Sequence, residues 1–204
     1  MWQMEEPNGL IKIDNEALEA LPSRQFAGRI TLVEEEHDIA RACNYLLSCP
    51  VLGFDTETRP AFTAGTRNKV ALLQLSSADE CFLFRLCKVR LDKAVLKVLS
   101  EPRILKVGAA VRDDLKALQA LRHFRPGGFV DLQHIIRDYG IDELGLRKMA
   151  AAVLGYKISK AQRLSNWEAA ELTTAQQLYA ATDAWVSREI YMKLKDEKDI
   201  PQAR

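Results

Sequence analysis

Strand-like segments that come first and then alternate with helices restrict this chain more than any other feature. RITLVE (29–34) alternates as a strand does, and VLGFDTET (51–58) follows a proline with a short apolar run. KVALLQLSS (69–77) and ECFLFRL (80–86) are separated only by Ala78-Asp79, a connection short enough for an antiparallel hairpin. Helical apolar spacing fills 34–48 and 92–100, and RILKVGAA (103–110) reads as another central strand. VRDDLKALQALRHF (111–124) sets Leu115, Leu118 and Leu121 on one helical face. FVDL (129–132) is a short strand that runs into a helix over LQHIIRDYG. A further helix is expected from about Leu144 to Leu154, and a last one from Thr173 or Thr174, as N-cap, to about Lys195. The pattern predicts an α/β fold: one mixed sheet, antiparallel hairpin strands plus parallel strands, flanked by helices. Residues 1–28 are uneven and read as an N-terminal arm before a single domain over 29–204.

Composition agrees with this. A chain of 204 residues is one large domain, able to bury about 70% of its unfolded surface without a metal or disulfide staple. With 48% apolar and 28% charged residues, ten Gly and seven Pro, it is neither collagen-like, low-complexity nor a disulfide scaffold. No apolar run approaches the ~18 residues of a membrane span, and MWQMEEPNG has no signal design. A cytoplasmic location with no membrane partner is expected. The net charge of +1 advertises no global basic field for nucleic acid. Cys43, Cys49, Cys81 and Cys87 form no C-x-x-C, so reduced thiols acting as small apolar residues are expected.

Three constellations could carry chemistry. Asp55-Thr56-Glu57 ends a strand, and alternate strand residues share a face, so the two carboxylates sit together. Taken alone, D-x-E reads as two solvated acids at a strand end. Arg112-Asp113-Asp114 opens a helix, where one acid serves as a cap and the other can face the sheet edge. Tyr179 and Asp183, four apart, share one face of the last helix, as a buried Tyr bonded to a helical Asp also would. Together they provide four carboxylates and a phenol. Four convergent carboxylates repel one another in a core unless cations lie between them. They suit two divalent ions, Mg²⁺ or Mn²⁺, about 4 Å apart on a phosphodiester.

GFDTET, KVALLQLSS, CFLFRL, LKVGAAVRDDLKAL, FVDL, RLSNWE and LYAATDAW, in this order over roughly 29–195, resemble the DEDDy branch of the DnaQ-like 3′–5′ exonucleases. Within that group the chain is most similar to Werner-type and ribonuclease D-type domains. The resemblance implies a ribonuclease H-like fold and metal-dependent release of nucleoside 5′-monophosphates from a free 3′ end, single-stranded or frayed, with DNA favoured. Its first motif falls on Asp55 and Glu57 and its third on Tyr179 and Asp183. Its second, D-x-x-x-L, falls on Asp114 with Leu118. Asp113 would place Ala117 at the leucine position and is read as the capping acid. The related branch carries His five residues before its last Asp, where this chain has Leu178.

The resemblance further implies that Asp55, Glu57 and Asp183 hold one ion, with Asp55 bridging to a second that Asp114 serves. Tyr179 would aim the attacking water, since a phenol of pKa near ~10 suits orientation better than proton abstraction. Arg147, Lys148, Lys157, Lys160 and Arg163 lie between Gly145 and Trp167 without an acid, and Arg59, Arg67 and Lys69 lie between Glu57 and Asp79 likewise. Either stretch could hold phosphates or form a solvated basic face. Phe62 and Trp167 are candidates to stack on bases, and Leu72 and Gln74 to line the strand near the terminus. His37, His123 and His134 fall in no matched motif. Two alternatives stand beside the exonuclease reading: a ribonuclease D-like RNA 3′-trimming enzyme, and a nucleic-acid-binding domain without catalysis.

Overall fold

The computed structural model describes residues 4–5, 10–60 and 68–199. A two-strand ribbon, β1 (Met4–Glu5) and β2 (Ile11–Lys12), and helix α1 (Asn15–Ala20) precede β3 (Arg29–Val33) and α2 (Glu36–Leu46). Three strands follow, β4 (Val51–Thr58), β5 (Val70–Ser76) and β6 (Glu80–Arg85). Then come α3 (Lys93–Ser100), β7 (Leu105–Gly108), α4 (Val111–Leu121) and β8 (Phe129–Asp131). The chain ends with α5 (Leu132–Ile135), a 3-10 turn (Ile136–Tyr139), α6 (Leu146–Leu154) and α7 (Thr174–Asp199).

Six strands form one mixed sheet in the order β3-β6-β5-β4-β7-β8. β5 pairs antiparallel with β6 and β4, and the remaining neighbours are parallel. The hairpin expected at Ala78-Asp79 closes with Ser77 N–H donating to the Glu80 carbonyl at 2.9 Å. Both faces of the sheet are covered, so every residue of β5 and β6 is buried. On one face Ile39, Leu46, Val95, Leu99 and Leu118 of α2, α3 and α4 pack with Leu52, Phe54 and Leu75. On the other, α6 and α7 bring Met149, Val186 and Ile190 to Val107, while Ala180, Ala181 and Ala184 meet Leu72 and Leu83.

The pleat of β4 sorts its residues. Leu52, Phe54 and Thr56 face α2, α3 and α4; Gly53, Asp55 and Glu57 face α7. Gly53 is a contact position: a Cβ there would lie 1.7 Å from the Ala184 carbonyl oxygen. The glycine and the alanines of α7 therefore bring helix backbone almost onto the strand. Gly53→Ala is expected to lower stability by about 1–3 kcal/mol through overpacking, read as a shift in the urea midpoint.

Three segments differ from the sequence pattern. The single helix expected over 132–140 is a short α-helix tightened into a 3-10 turn that ends at Gly140, in left-handed backbone (φ 71°). The cause is the arm, since Ile11 N–H donates to the Gly140 carbonyl and Asp142 N–H to the Ile11 carbonyl. The arm itself is strapped across α6 and α7. Ile13 N–H donates to Glu143 at 2.7 Å, Arg24 N–H to the Lys157 carbonyl at 2.9 Å, and Phe26 N–H to the Thr182 hydroxyl at 3.0 Å. At the start of α7, Thr173 and Gln176 exchange hydrogen bonds: Gln176 N–H donates to the Thr173 hydroxyl and Thr173 N–H to the Gln176 side chain. This is a capping box, and α7 runs past Lys195 to Asp199. Cys43 and Cys81 are core residues whose thiols burial pushes up to about 12.

Candidate metal centre

Asp55 and Glu57 leave β4 on its α7 face, and Asp183 sits beside Ala184, the residue that touches Gly53. The close approach of helix and strand thus carries Asp183 to the pair. One oxygen from each carboxylate lies within 4.8 Å of the others. One turn before Asp183, the Tyr179 hydroxyl donates a hydrogen bond to it. The Tyr179 ring lies 6.0 Å, centre to centre, from the buried ring of Trp167.

The group is electrostatically frustrated. Burial, then Asp183, Glu57 and Asp114 in turn, pushes Asp55 well above the ordinary carboxyl range. Burial, then Asp183 and Asp114, pushes Glu57 up to about 9. Burial raises Asp183 too, against the stabilising Tyr179 hydroxyl. Burial and the Asp183 and Glu57 carboxylates push the Tyr179 phenol far up, so it is neutral and a donor. Among the described residues no ion pair neutralises Asp55, Glu57, Asp114 or Asp183. Hard oxygen donors, gathered and uncompensated, fit a divalent cation such as Mg²⁺ or Mn²⁺.

Asp114 approaches from the other face of the sheet. Thr56, between the two β4 acids, donates its hydroxyl to Asp114 Oδ1 at 2.6 Å. Asp114 therefore lies beside the three-carboxylate group, and burial pushes it up to about 6. Its helix is seated by Asp131, whose carboxylate accepts from Ala110 N–H at 3.1 Å and Val111 N–H at 3.0 Å. Ala110 holds left-handed backbone (φ 58°) to make that turn. The capping acid of α4 is therefore Asp131 and not Asp113, which is exposed and paired with Lys116 at 3.3 Å. Neither Thr56 nor Asp131 has a role that the sequence pattern assigns; the only signal for either is its place inside a matched motif.

The substrate candidates separate by exposure and pairing. Arg147 and Lys157 are held by Glu19, and Lys148 by Glu143, so these three bases belong to the arm and its packing. Lys160, Arg163 and Lys69 are exposed, with no ion pair among the described residues. Arg59 is exposed and faces Glu168 at 3.6 Å, which ties the end of β4 to the loop around Trp167. Trp167 has no exposed surface, so it offers no ring face to a base; it packs behind Tyr179. Leu72 and Gln74 are likewise 0% exposed and line the interior of the sheet, not an open strand face. Phe62 and Arg67 lie outside the described residues. His37, His123 and His134 are exposed and outside the carboxylate group.

A mixed six-stranded sheet whose central strand ends in carboxylates facing a helix-borne Asp and Tyr defines the ribonuclease H-like class of nuclease folds. A family model described as 3′–5′ exonuclease matches residues 30–199, and the chain belongs to that family. It is 37% identical over 155 residues to exonuclease 3′-5′ domain-containing protein 2 of Drosophila melanogaster, covering 74% of this chain and 26% of that one. It is 33% identical over 198 residues to the bifunctional 3′-5′ exonuclease/ATP-dependent helicase WRN of Mus musculus, covering 89% of this chain and 14% of that one. The chain thus spans about a quarter or less of the length of these relatives. Among solved structures, the Aedes aegypti Nibbler EXO domain matches at TM-score 0.76 and 24% identity, over 88% of this chain and 94% of that one. Escherichia coli RNase D matches at TM-score 0.72 and 21% identity, over 85% of this chain and 47% of that one. Exonuclease domains of this family use divalent metals, and this chain has the carboxylate cluster for one. No helix of the described residues is long and apolar enough to cross a membrane.

Proposed function

We propose that this chain is a metal-dependent 3′–5′ exonuclease that hydrolyses the terminal phosphodiester of a nucleic acid with a free 3′ end, DNA favoured, and releases nucleoside 5′-monophosphates. The observation that carries the reading is the buried group of Asp55, Glu57 and Asp183, whose carboxylate oxygens lie within 4.8 Å of one another with no neutralising base among the described residues. Two divalent cations, Mg²⁺ or Mn²⁺, would supply charge neutralisation, a more acidic water and stabilisation of the leaving 3′ oxygen. Asp55, Glu57 and Asp183 would hold one, and Asp55 and Asp114 the other. Thr56 fixes one Asp114 oxygen through its hydroxyl and leaves the second free to act. Tyr179 keeps its proton, so it orients the attacking water by hydrogen bonding and does not remove a proton from it. Trp167 buttresses the Tyr179 ring. Lys160, Arg163 and Lys69, with Arg59, are the bases left to meet phosphates.

A second reading, RNA 3′-trimming, draws support from the fold likeness to ribonuclease D. The Trypanosoma brucei RNase D complex with RNA U12 matches at TM-score 0.73 and 21% identity. A purely binding role is disfavoured, because a cluster of unpaired buried carboxylates costs stability and opposes polynucleotide phosphates unless a cation is bound. One experiment tests all three. End-labelled single- and double-stranded DNA and RNA of matched sequence are incubated with Mg²⁺, Mn²⁺ or EDTA. Stepwise shortening from the 3′ end, metal-dependent and faster on DNA, is the expected result. Shortening confined to RNA establishes the second reading, and binding without shortening establishes the third.

A further inference from the structure

Gln74 is a polar side chain that packing alone does not explain, with both ends of its amide buried and unpaired among the described residues. It stands on β5 directly opposite Asp55 on β4, and opposite residues of an antiparallel pair share a face. That face carries Leu72, Leu83 and the alanines of α7. Gln74 is 0% exposed, and among the described residues neither its amide nitrogen nor its amide oxygen has a hydrogen-bond partner. A buried amide left unpaired destabilises the fold, and a leucine of similar volume would carry no such cost. Cross-strand Cβ atoms are about 4.5–5.5 Å apart, so the amide can reach the Asp55 carboxylate. Of that carboxylate, Oδ1 already accepts Thr56 N–H at 2.9 Å, which leaves Oδ2 available.

We infer that Gln74 is a positioning residue of the metal centre: its amide N–H donates to the Asp55 carboxylate when a divalent cation is bound, and fixes that carboxylate as a ligand. The inference rests on the preceding reading of Asp55, Glu57 and Asp183 as cation ligands. A cation-bound carboxylate is ionised, and an ionised acceptor makes the stronger hydrogen bond. Partners of this kind set ligand orientation, and losing one typically costs 10–100-fold in metal affinity. Gln74 has no exposed surface, so it acts through Asp55 and touches no substrate.

The test measures Mn²⁺ binding by electron paramagnetic resonance on the protein without nucleic acid. Wild type is compared with Gln74→Leu and with Gln74→Met, the second a flexible side chain of similar length should the first not pack. Each folded variant is expected to raise the Kd for Mn²⁺ about tenfold. Each is also expected to melt a few degrees higher in EDTA, because the unpaired amide is gone. A role in packing alone predicts the reverse, a lower melting temperature with unchanged Mn²⁺ affinity, and that result overturns the inference. Asp55→Asn is the control for the site: wild-type Mn²⁺ binding that Asp55→Asn leaves intact overturns the ligand reading itself, and this inference with it.

Discussion

Asp55→Asn and Asp183→Asn each lower the rate of nucleotide release by about a thousandfold or more, while the metal-free protein becomes no less stable. Both halves follow from the same geometry. Each substitution replaces a carboxylate oxygen of the three-residue group by an amide nitrogen of nearly equal size, which donates hydrogens and does not ligate a hard cation. A cation's contribution to phosphodiester cleavage is several kcal/mol, and about 4 kcal/mol is a thousandfold in rate. In the absence of metal, however, each carboxylate is repelled by the others and disfavoured by burial, so its neutral isostere relieves both. Initial rates on a 3′-terminal label, paired with melting curves in EDTA, read the two effects separately. Either variant retaining more than a tenth of wild-type activity contradicts the assignment. A variant that loses activity together with several degrees of melting temperature would place the residue in the fold and not in the chemistry.

The sheet was legible because strands covered on both faces read as short apolar runs, while the helices, buried on one face, keep a strong apolar period. β4, the β5–β6 hairpin, β7 and α4 all lie within a few residues of where apolar spacing puts them. What local pattern could not supply is contact across distant segments. The helix expected over 132–140 breaks because the arm's Ile11 bonds to Gly140, an interaction 129 residues away in the chain that no window on either segment contains. The α4 cap differs from expectation for a related reason: an acid in the first turn is the usual cap, but Asp131, from the next strand, reaches the free N–H groups first. The carboxylate group was readable as residue types in order. Its cause, Gly53 against Ala184, is a distance between β4 and α7, and only the packed structure contains it. Trp167 and Gln74 show the same limit, since aromatic and amide side chains suit a nucleic-acid surface as well as an interior, and burial decides between them.

The frustration of the carboxylate group also sets how stability responds to acidity and to metal. Unfolded, these carboxyls ionise near pH 4, while in the folded chain burial and mutual repulsion push Glu57 up to about 9 and Asp114 up to about 6, with Asp55 raised in the same sense. Between about pH 4 and pH 9 the folded chain therefore retains protons that the unfolded chain has released. Stability from these groups is complete below pH 4 and is withdrawn as pH rises, opposite to the usual ion-paired Asp or Glu. Holding one such proton across a single pH unit withdraws about 1.4 kcal/mol, so a chain of modest stability loses a sizeable part of it over this window. In EDTA the melting temperature is expected to fall steadily from pH 5 to pH 9, by several degrees. Mg²⁺ or Mn²⁺ at millimolar concentration is expected to flatten that slope, since a cation binds the ionised folded form and not the unfolded one. The rescue should grow with pH, being smallest at pH 5, where protons occupy the group. Asp183→Asn should remove most of the rescue but only part of the slope, since burial, ahead of Asp183, raises Glu57 and Asp55. Melting curves that do not change between pH 5 and pH 9 in EDTA would mean that the carboxylates are compensated by the protein itself, which would leave no electrostatic reason for a cation at this place.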